Sequence, residues 1–256
     1  MKDHVLFKKS PTGNPSLPQI FCFSHAGGNA EDYLQWQKFL LSDVCLNAIC
    51  LPGTGRRFGE SYPVSVDSLT TEIAQQIDSL NCDDYYLFGH SMGAVLAFEV
   101  AGKVKTSARG LIVSGSAAPA SIPSARVVKM NAMSDETFAR EMVFFNGVDE
   151  KLAASEEFIS LFLKRLRKDF ELIGRYQYRP EQRLSLPLYA LVGEDDPHVS
   201  PEAAAQWRTV TSGSFSPFIV PGDHFYFNQH PQSVTDVIKH CVTAQVAART
   251  PQTLII

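Results

Sequence analysis

Tyr85-Tyr86-Leu87-Phe88-Gly89-His90-Ser91-Met92-Gly93-Ala94-Val95-Leu96-Ala97-Phe98 joins an apolar run, a Gly-x-Ser-x-Gly turn and a second apolar run without a break. The first run reads as a buried strand and the second as a helix. A strand that turns at once into a helix presses the residues two before and two after its apex against neighbouring backbone, so those positions must lack bulky side chains. Gly89 and Gly93 meet that demand. The apex then exposes the Ser91 hydroxyl, and the Met92 amide stands at a helix N-terminus, where it can face a developing oxyanion. The stretch is read as a nucleophile elbow.

Outward from the elbow, short apolar runs alternate with longer segments of helical period, the pattern of a parallel sheet flanked by helices. Strands are predicted over 19–24, 46–51, 85–88, 111–114, 188–192 and 218–220. Val66, Leu69, Ile73, Ile77 and Leu80 recur at intervals of three and four, giving one apolar helical face behind a cap at Ser65 or Asp67. The rhythm breaks between about 116 and 186, where no strand is legible but two helices are, over 134–145 and from 155 to about 176. Ser134 can cap the first, with Asp135 and Glu136 at its positive end. The second carries Phe158, Ile159, Phe162, Leu163, Leu166, Phe170 and Ile173. An insertion this rich in Phe and Met must cover something, so it is read as a helical lid, with Met142, Phe144, Phe145 and Phe162 as its adaptable substrate surface. Plain crossover helices packed on the sheet are the alternative.

The 256 residues, 45% of them hydrophobic, suffice for one large core and exclude disorder. One domain over 1–256 is expected. A net charge of -4 argues against nucleic-acid binding. No apolar run reaches membrane-spanning length, and Met1 to Lys8 lack the apolar core of a signal peptide, so a cytoplasmic location is expected. Cys22, Cys45, Cys50, Cys82 and Cys241 are odd in number, lack CxxC spacing and fall mostly in apolar segments. They read as buried thiols, neither disulfides nor zinc ligands.

An activated serine needs a histidine, and the histidine needs an acid. His224 follows the last strand through Pro221-Gly222-Asp223, so a short loop can swing it over the sheet edge toward Ser91. His4, His25, His90, His198, His230 and His240 lie in the tail, in other loops, too close behind the acid, or at the C-terminal helix. For the acid, the loop after 188–192 offers Gly193-Glu194-Asp195-Asp196-Pro197, whereas the loop after 111–114 contains none. The residue pattern leaves Asp195 and Asp196 both open, Asp196 having the more restricted backbone beside Pro197. A second oxyanion donor is expected from the glycine-rich loop Ser24-His25-Ala26-Gly27-Gly28-Asn29-Ala30, which lacks the Gly-Lys-Ser/Thr pattern of a phosphate loop.

Across nearly the whole chain these motifs resemble the stand-alone type II thioesterases that accompany non-ribosomal peptide and polyketide synthases. Phe23 to Gly28 resembles the family's oxyanion loop, with Ser24 where proline is usual, and Leu51 to Glu60 resembles its PGRxxR segment, with Thr54 where arginine is usual. Gly89 to Gly93 matches the elbow, Leu166-Arg167-Lys168-Asp169-Phe170 with Tyr176 resembles the LRADF stretch of the lid, and Gly222-Asp223-His224-Phe225 resembles the GGHF loop. The acid loop matches too, and the family pattern selects Asp196 as the acid and the amides of Ala26 and Met92 as the oxyanion donors.

The resemblance implies an α/β-hydrolase fold, a mostly parallel sheet with an inserted helical lid at about 116–186. It implies hydrolysis of aberrant or stalled acyl and aminoacyl groups from the phosphopantetheine arms of acyl or peptidyl carrier proteins through a Ser91 acyl-enzyme. No metal or soluble cofactor is expected, the phosphopantetheine being part of the substrate. Arg56 and Arg57 in one loop, with Lys164, Arg165, Arg167 and Lys168 along the lid helix, offer a basic rim for docking an acidic carrier protein, against the plain reading of a solvated helix face. The alternatives are a general serine esterase or thioesterase on small substrates and a catalytically weak binding protein on a hydrolase fold.

Overall fold

The computed structural model describes residues 6–144 and 162–249. Among the described residues seven strands form one sheet: β1 (Phe7–Lys9), β2 (Gln19–Phe23), β3 (Cys45–Ile49), β4 (Tyr85–His90), β5 (Leu111–Ser114), β6 (Leu188–Gly193) and β7 (Phe215–Val220). Their spatial order is β1-β3-β2-β4-β5-β6-β7, with β1 antiparallel to β3 and every other pairing parallel. Register sets Phe23 beside Gly89, His90 beside Ser114 and Gly193 beside Val220, so the carboxyl ends of five strands reach one edge of the sheet. In open parallel sheets that edge is where ligands bind.

Each inner strand is buried on both faces, which is why it reads as a continuous apolar run and not as an alternation. Successive side chains still divide between two cores. Phe21, Leu87 and Val113 pack with helix side chains such as Ile73 and Phe98, while Ile20, Phe88 and Ile112 pack with Trp36, Val234 and Ile238 on the other face. Among the described residues the α-helices are α1 (Glu31–Leu34), α2 (Val66–Ser79), α3 (Met92–Ala101), α4 (Ala125–Asn131), α5 (Asp135–Phe144), α6 (Lys164–Gly174), α7 (Pro201–Ala205), α8 (Tyr226–Gln229) and α9 (Pro231–Arg249). Ser65 caps α2 by accepting the Ser68 N–H, and the expected stripe of Val66, Leu69, Ile73 and Ile77 is buried. Helix α3 is buried all round, matching its uniformly apolar sequence. This is the α/β-hydrolase architecture, with α4, α5 and α6 inserted between β5 and β6.

Three elements differ from expectation. Strand β1 is only three residues and pairs with the outer side of β3, too short to leave a periodic signal. Strand β7 begins at Phe215, with Pro217 inside it, a residue tolerated because β7 is an edge strand. Helix α4, capped by Ser124 through the Val127 N–H, is not among the expected helices, because it is seven residues long and buries only Met130. Residues 155–161 of the expected second lid helix lie outside the described residues, and α6 is its described part.

Candidate active site

Ser91 closes β4 and opens α3 with φ 54° and ψ -118°, a conformation that L-residues avoid. Holding it costs about 1–3 kcal/mol. The two glycines are demanded by contact: a Cβ on Gly89 would lie 2.0 Å from the Gly93 carbonyl oxygen, and one on Gly93 would lie 2.2 Å from that of Phe23. The Ser91 N–H donates to the Ser114 carbonyl at 2.8 Å, pinning the apex to β5.

His224 sits in the turn after β7, opened by Gly222 at φ 108°. The Glu194 N–H donates to the Val220 carbonyl and the Asp195 N–H to the Gly222 carbonyl, so the acid loop and the histidine loop are tied together. The result is one carboxylate on the ring: Asp196 Oδ2 is 2.8 Å from His224 Nδ1, and the Asp196 side chain is 0% exposed. Its other oxygen accepts the His198 N–H at 2.8 Å and the Val199 N–H at 3.1 Å. Burial pushes the Asp196 carboxyl up, but the His224 hydrogen bond and charge, with the two amides, outweigh it and hold the group below the ordinary carboxylate range. Asp195 is exposed.

Two cavities meet at Ser91. One, of about 280 Å³, runs along His25 to Asn29 under Met142, Phe162 and Leu166; the other, of about 240 Å³, runs past Met92, Ser116, Ile122, Val127 and His198. Ser91, His224, Ala26 and Phe170 border both. Of the four side chains expected on the lid surface, Met142 and Phe162 line the first cavity, packed into a separate apolar cluster with Met130, Phe138, Leu163, Leu166 and Phe170. Phe144 is described only as the last residue of α5, and Phe145 lies outside the described residues.

The protein-family model described as Thioesterase domain matches residues 18–244. The chain belongs to the thioesterase family. The thioesterase is 32% identical to the gramicidin S biosynthesis protein GrsT of Aneurinibacillus migulanus over 81% of its own length and 82% of the relative's. It superposes on the type II thioesterase BorB from the borrelidin biosynthetic cluster with a TM-score of 0.84 at 31% identity, covering 94% of its own chain and 99% of that one. The match to YbtT, a type II thioesterase from the yersiniabactin NRPS/PKS pathway, has the same TM-score and coverage at 27% identity. It is thus a hydrolase acting on thioesters, similar to enzymes of antibiotic and siderophore biosynthesis.

Near His224 the thioesterase gathers three more imidazoles, His25 and His90, expected in other loops, and His198, expected too close behind the acid. His90 and His198 have ring centroids 4.9 and 5.1 Å from it, and His25 lies 5.9 Å from His90. Burial, then the charge of His224, lowers all three, His25 to about 3, His198 to about 4 and His90 well below the ordinary value. His25 Nδ1 pairs with the Tyr33 hydroxyl at 2.9 Å, and His90 Nδ1 with Ser114 Oγ at 2.8 Å, which in turn pairs with the Tyr226 hydroxyl. These neighbours stay neutral at neutral pH and wall His224 with aromatic edges. His90, expected in a loop, is the last residue of β4, and nothing in the spacing of four histidines from one strand end and three loops announces that they meet.

The basic residues separate into two kinds. Arg57 was expected on a docking rim, but its side chain is 6% exposed and its guanidinium holds Glu60 at 2.6 Å, Glu72 at 2.7 Å and the Cys50 carbonyl at 3.3 Å. It fastens the loop to α2 and is unavailable at the surface. Arg167 is likewise turned inward, to Asp135 at 2.7 Å, the Met133 carbonyl at 3.0 Å and the face of Phe138 at 4.4 Å, tying α6 to α5. Both corrections have one cause: an arginine between acidic and carbonyl partners satisfies its fork before it meets solvent. Arg56, Lys164 and Lys168 are exposed, Lys168 pairing with Glu171 at 2.9 Å. Four of the five thiols are buried and Cys82 is half-buried, all of them free. Among the described residues no group of three or more His, Cys, Asp or Glu could hold a metal, and no helix is long and apolar enough to cross a membrane.

Proposed function

We propose that the thioesterase releases acyl and aminoacyl groups from the phosphopantetheine thiol of carrier proteins, clearing aberrant or stalled chains from a peptide or polyketide synthase. The observation that carries the chemistry is the buried Asp196 carboxylate on His224 Nδ1, which leaves the other ring nitrogen for the serine side of the cavity. His224 takes the Ser91 hydroxyl proton as Oγ attacks the thioester carbonyl, and Asp196 stabilises the imidazolium and fixes the tautomer. The amides of Ala26 and Met92 hold the tetrahedral oxyanion, Met92 with the favourable end of α3 behind it. As the C–S bond breaks, the imidazolium returns its proton to the leaving sulfur. Water then attacks the acyl-serine, giving up a proton to His224, and Ser91 leaves with that proton as the free acid departs. The carrier reading is supported by the NRPS/PKS setting of the similar enzymes and by two separate cavities at one serine, room for an arm and for an acyl group.

The test compares one acyl group on a carrier protein, on coenzyme A and as an oxygen ester. Carrier thioester should give the highest kcat/KM. Equal rates on all three would leave a general esterase, and negligible turnover of all three would leave a binding protein.

A further inference from the structure

Helix α6 grips the loop that carries Ala26. Arg165 donates to the Gly28 carbonyl and, at 3.2 Å, to Asn29 Oδ1; one helical turn later the Asp169 carboxylate accepts the Gly27 N–H at 2.7 Å. Between these two, Leu166 and Phe162 close over Gly27, where a Cβ would come within 2.9 and 3.0 Å of them, and the backbone there has φ +80°. Asp169 is 1% exposed, and burial raises it to about 7. Its position is at odds with its helix, since Leu166, Phe170 and Ile173 form the apolar stripe beside it. A carboxylate placed there is costly unless the hydrogen bond it makes is needed. That bond fixes the Ala26–Gly27 peptide plane, next to the Ala26 amide.

We propose that Arg165 and Asp169 are positioning residues for the oxyanion hole: through Gly27, Gly28 and Asn29 they set the Ala26 amide, so that the hole is in working order only while α6 is seated on the loop. The inference rests on the acyl-enzyme reading with Ala26 as a donor. It makes α6 part of the catalytic geometry as well as a cover, because a hydrogen-bond donor must meet the oxyanion at a fixed place and a displacement of about 1 Å can cost 100-fold in rate.

The experiment uses Asp169→Ala, which removes the acceptor for the Gly27 N–H, and Arg165→Ala with an acyl N-acetylcysteamine thioester, together with a trifluoromethyl ketone that forms a hemiketal anion on the serine. Both variants should lower kcat by about 10-fold to 100-fold with KM within about 3-fold. The ketone inhibition constant should rise in proportion to the fall in kcat/KM, a readout that loss of lid packing alone would not produce. Should Asp169→Ala not fold, Arg165→Ala decides alone. Unchanged kcat and ketone affinity, or a rise confined to KM, would overturn the positioning role. A wild-type ketone adduct mapping away from Ser91 would instead overturn the hydrolytic reading beneath it.

Discussion

Ser91 is held in a conformation its own side chain does not favour, and alanine there meets the same backbone with no nucleophile. Ser91→Ala should abolish thioester hydrolysis without unfolding, and intact-mass analysis after fluorophosphonate treatment should show one adduct on the wild type and none on the variant. Asp196→Asn should cost about 10,000-fold in kcat through the wrong histidine tautomer, while the exposed Asp195→Asn should leave turnover within a few-fold; reversed effects would move the acid to Asp195. At Asp169 the sign runs the other way from an ordinary carboxylate. Its folded value, raised to about 7, lies above that of the unfolded chain, so its contribution is fully present below about pH 4 and is lost as pH rises through 7. Thermal melts should therefore show wild type losing ground to Asp169→Asn between pH 5 and 8, by on the order of 2 kcal/mol; a pH-independent gap would mean that Asp169 does not carry the burden. The serine and the histidine were legible because each sits in a short loop directly behind a strand. Asp169 left only a faint signal, a carboxylate interrupting an apolar stripe, and Arg165 left none, since its partners lie 137 and 136 positions away.

At the scale of elements, glycine spacing determined more than hydrophobicity did. A Cβ on Gly93 would fall 2.2 Å from the Phe23 carbonyl oxygen and 2.7 Å from that of Ser24, so α3 crosses β2 with no room for a methyl group. Gly93→Ala should push α3 off the sheet and yield insoluble or molten protein, with near-ultraviolet dichroism lost; a native spectrum would show that the crossing can relax. The inner strands were readable from apolar runs, as their double-sided burial requires, and β1 was not because three edge residues carry no period. The inserted helices divide their burial: Met130, Phe138 and Leu163 make a core of their own, whereas Leu172, Ile173 and Tyr176 join the core beneath the sheet. Arg57 belongs to the same accounting of elements, and Arg57→Ala should lower stability by about 1–3 kcal/mol, the scale for losing hydrogen bonds to a charged group, with thioester kinetics on a small substrate preserved.

For the molecule as a whole, net charge concealed the local distribution. With Arg57 and Arg167 turned inward, the proposed carrier contact narrows to Arg56, Lys164 and Lys168, the last two one helical turn apart on α6. Reversing Lys164 and Lys168 together to Glu should lower kcat/KM for acyl carrier protein, with an effect that shrinks as salt is added, and should spare an N-acetylcysteamine thioester. Equal losses on both substrates would place those lysines in the fold and not in docking. Sequence could not make this separation, because whether an arginine faces solvent depends on acids such as Glu72 and Asp135 that are distant in the chain. The pair of cavities flanking one serine carries a kinetic corollary. If, as proposed, arm and acyl group occupy one cavity each, withdrawal of the sulfur arm empties one chamber, which then admits solvent and small nucleophiles alike. On the proposed route the intermediate is therefore a branch point, and free N-acetylcysteamine supplied during turnover should intercept a concentration-dependent share of acyl groups as new thioester at the expense of free acid.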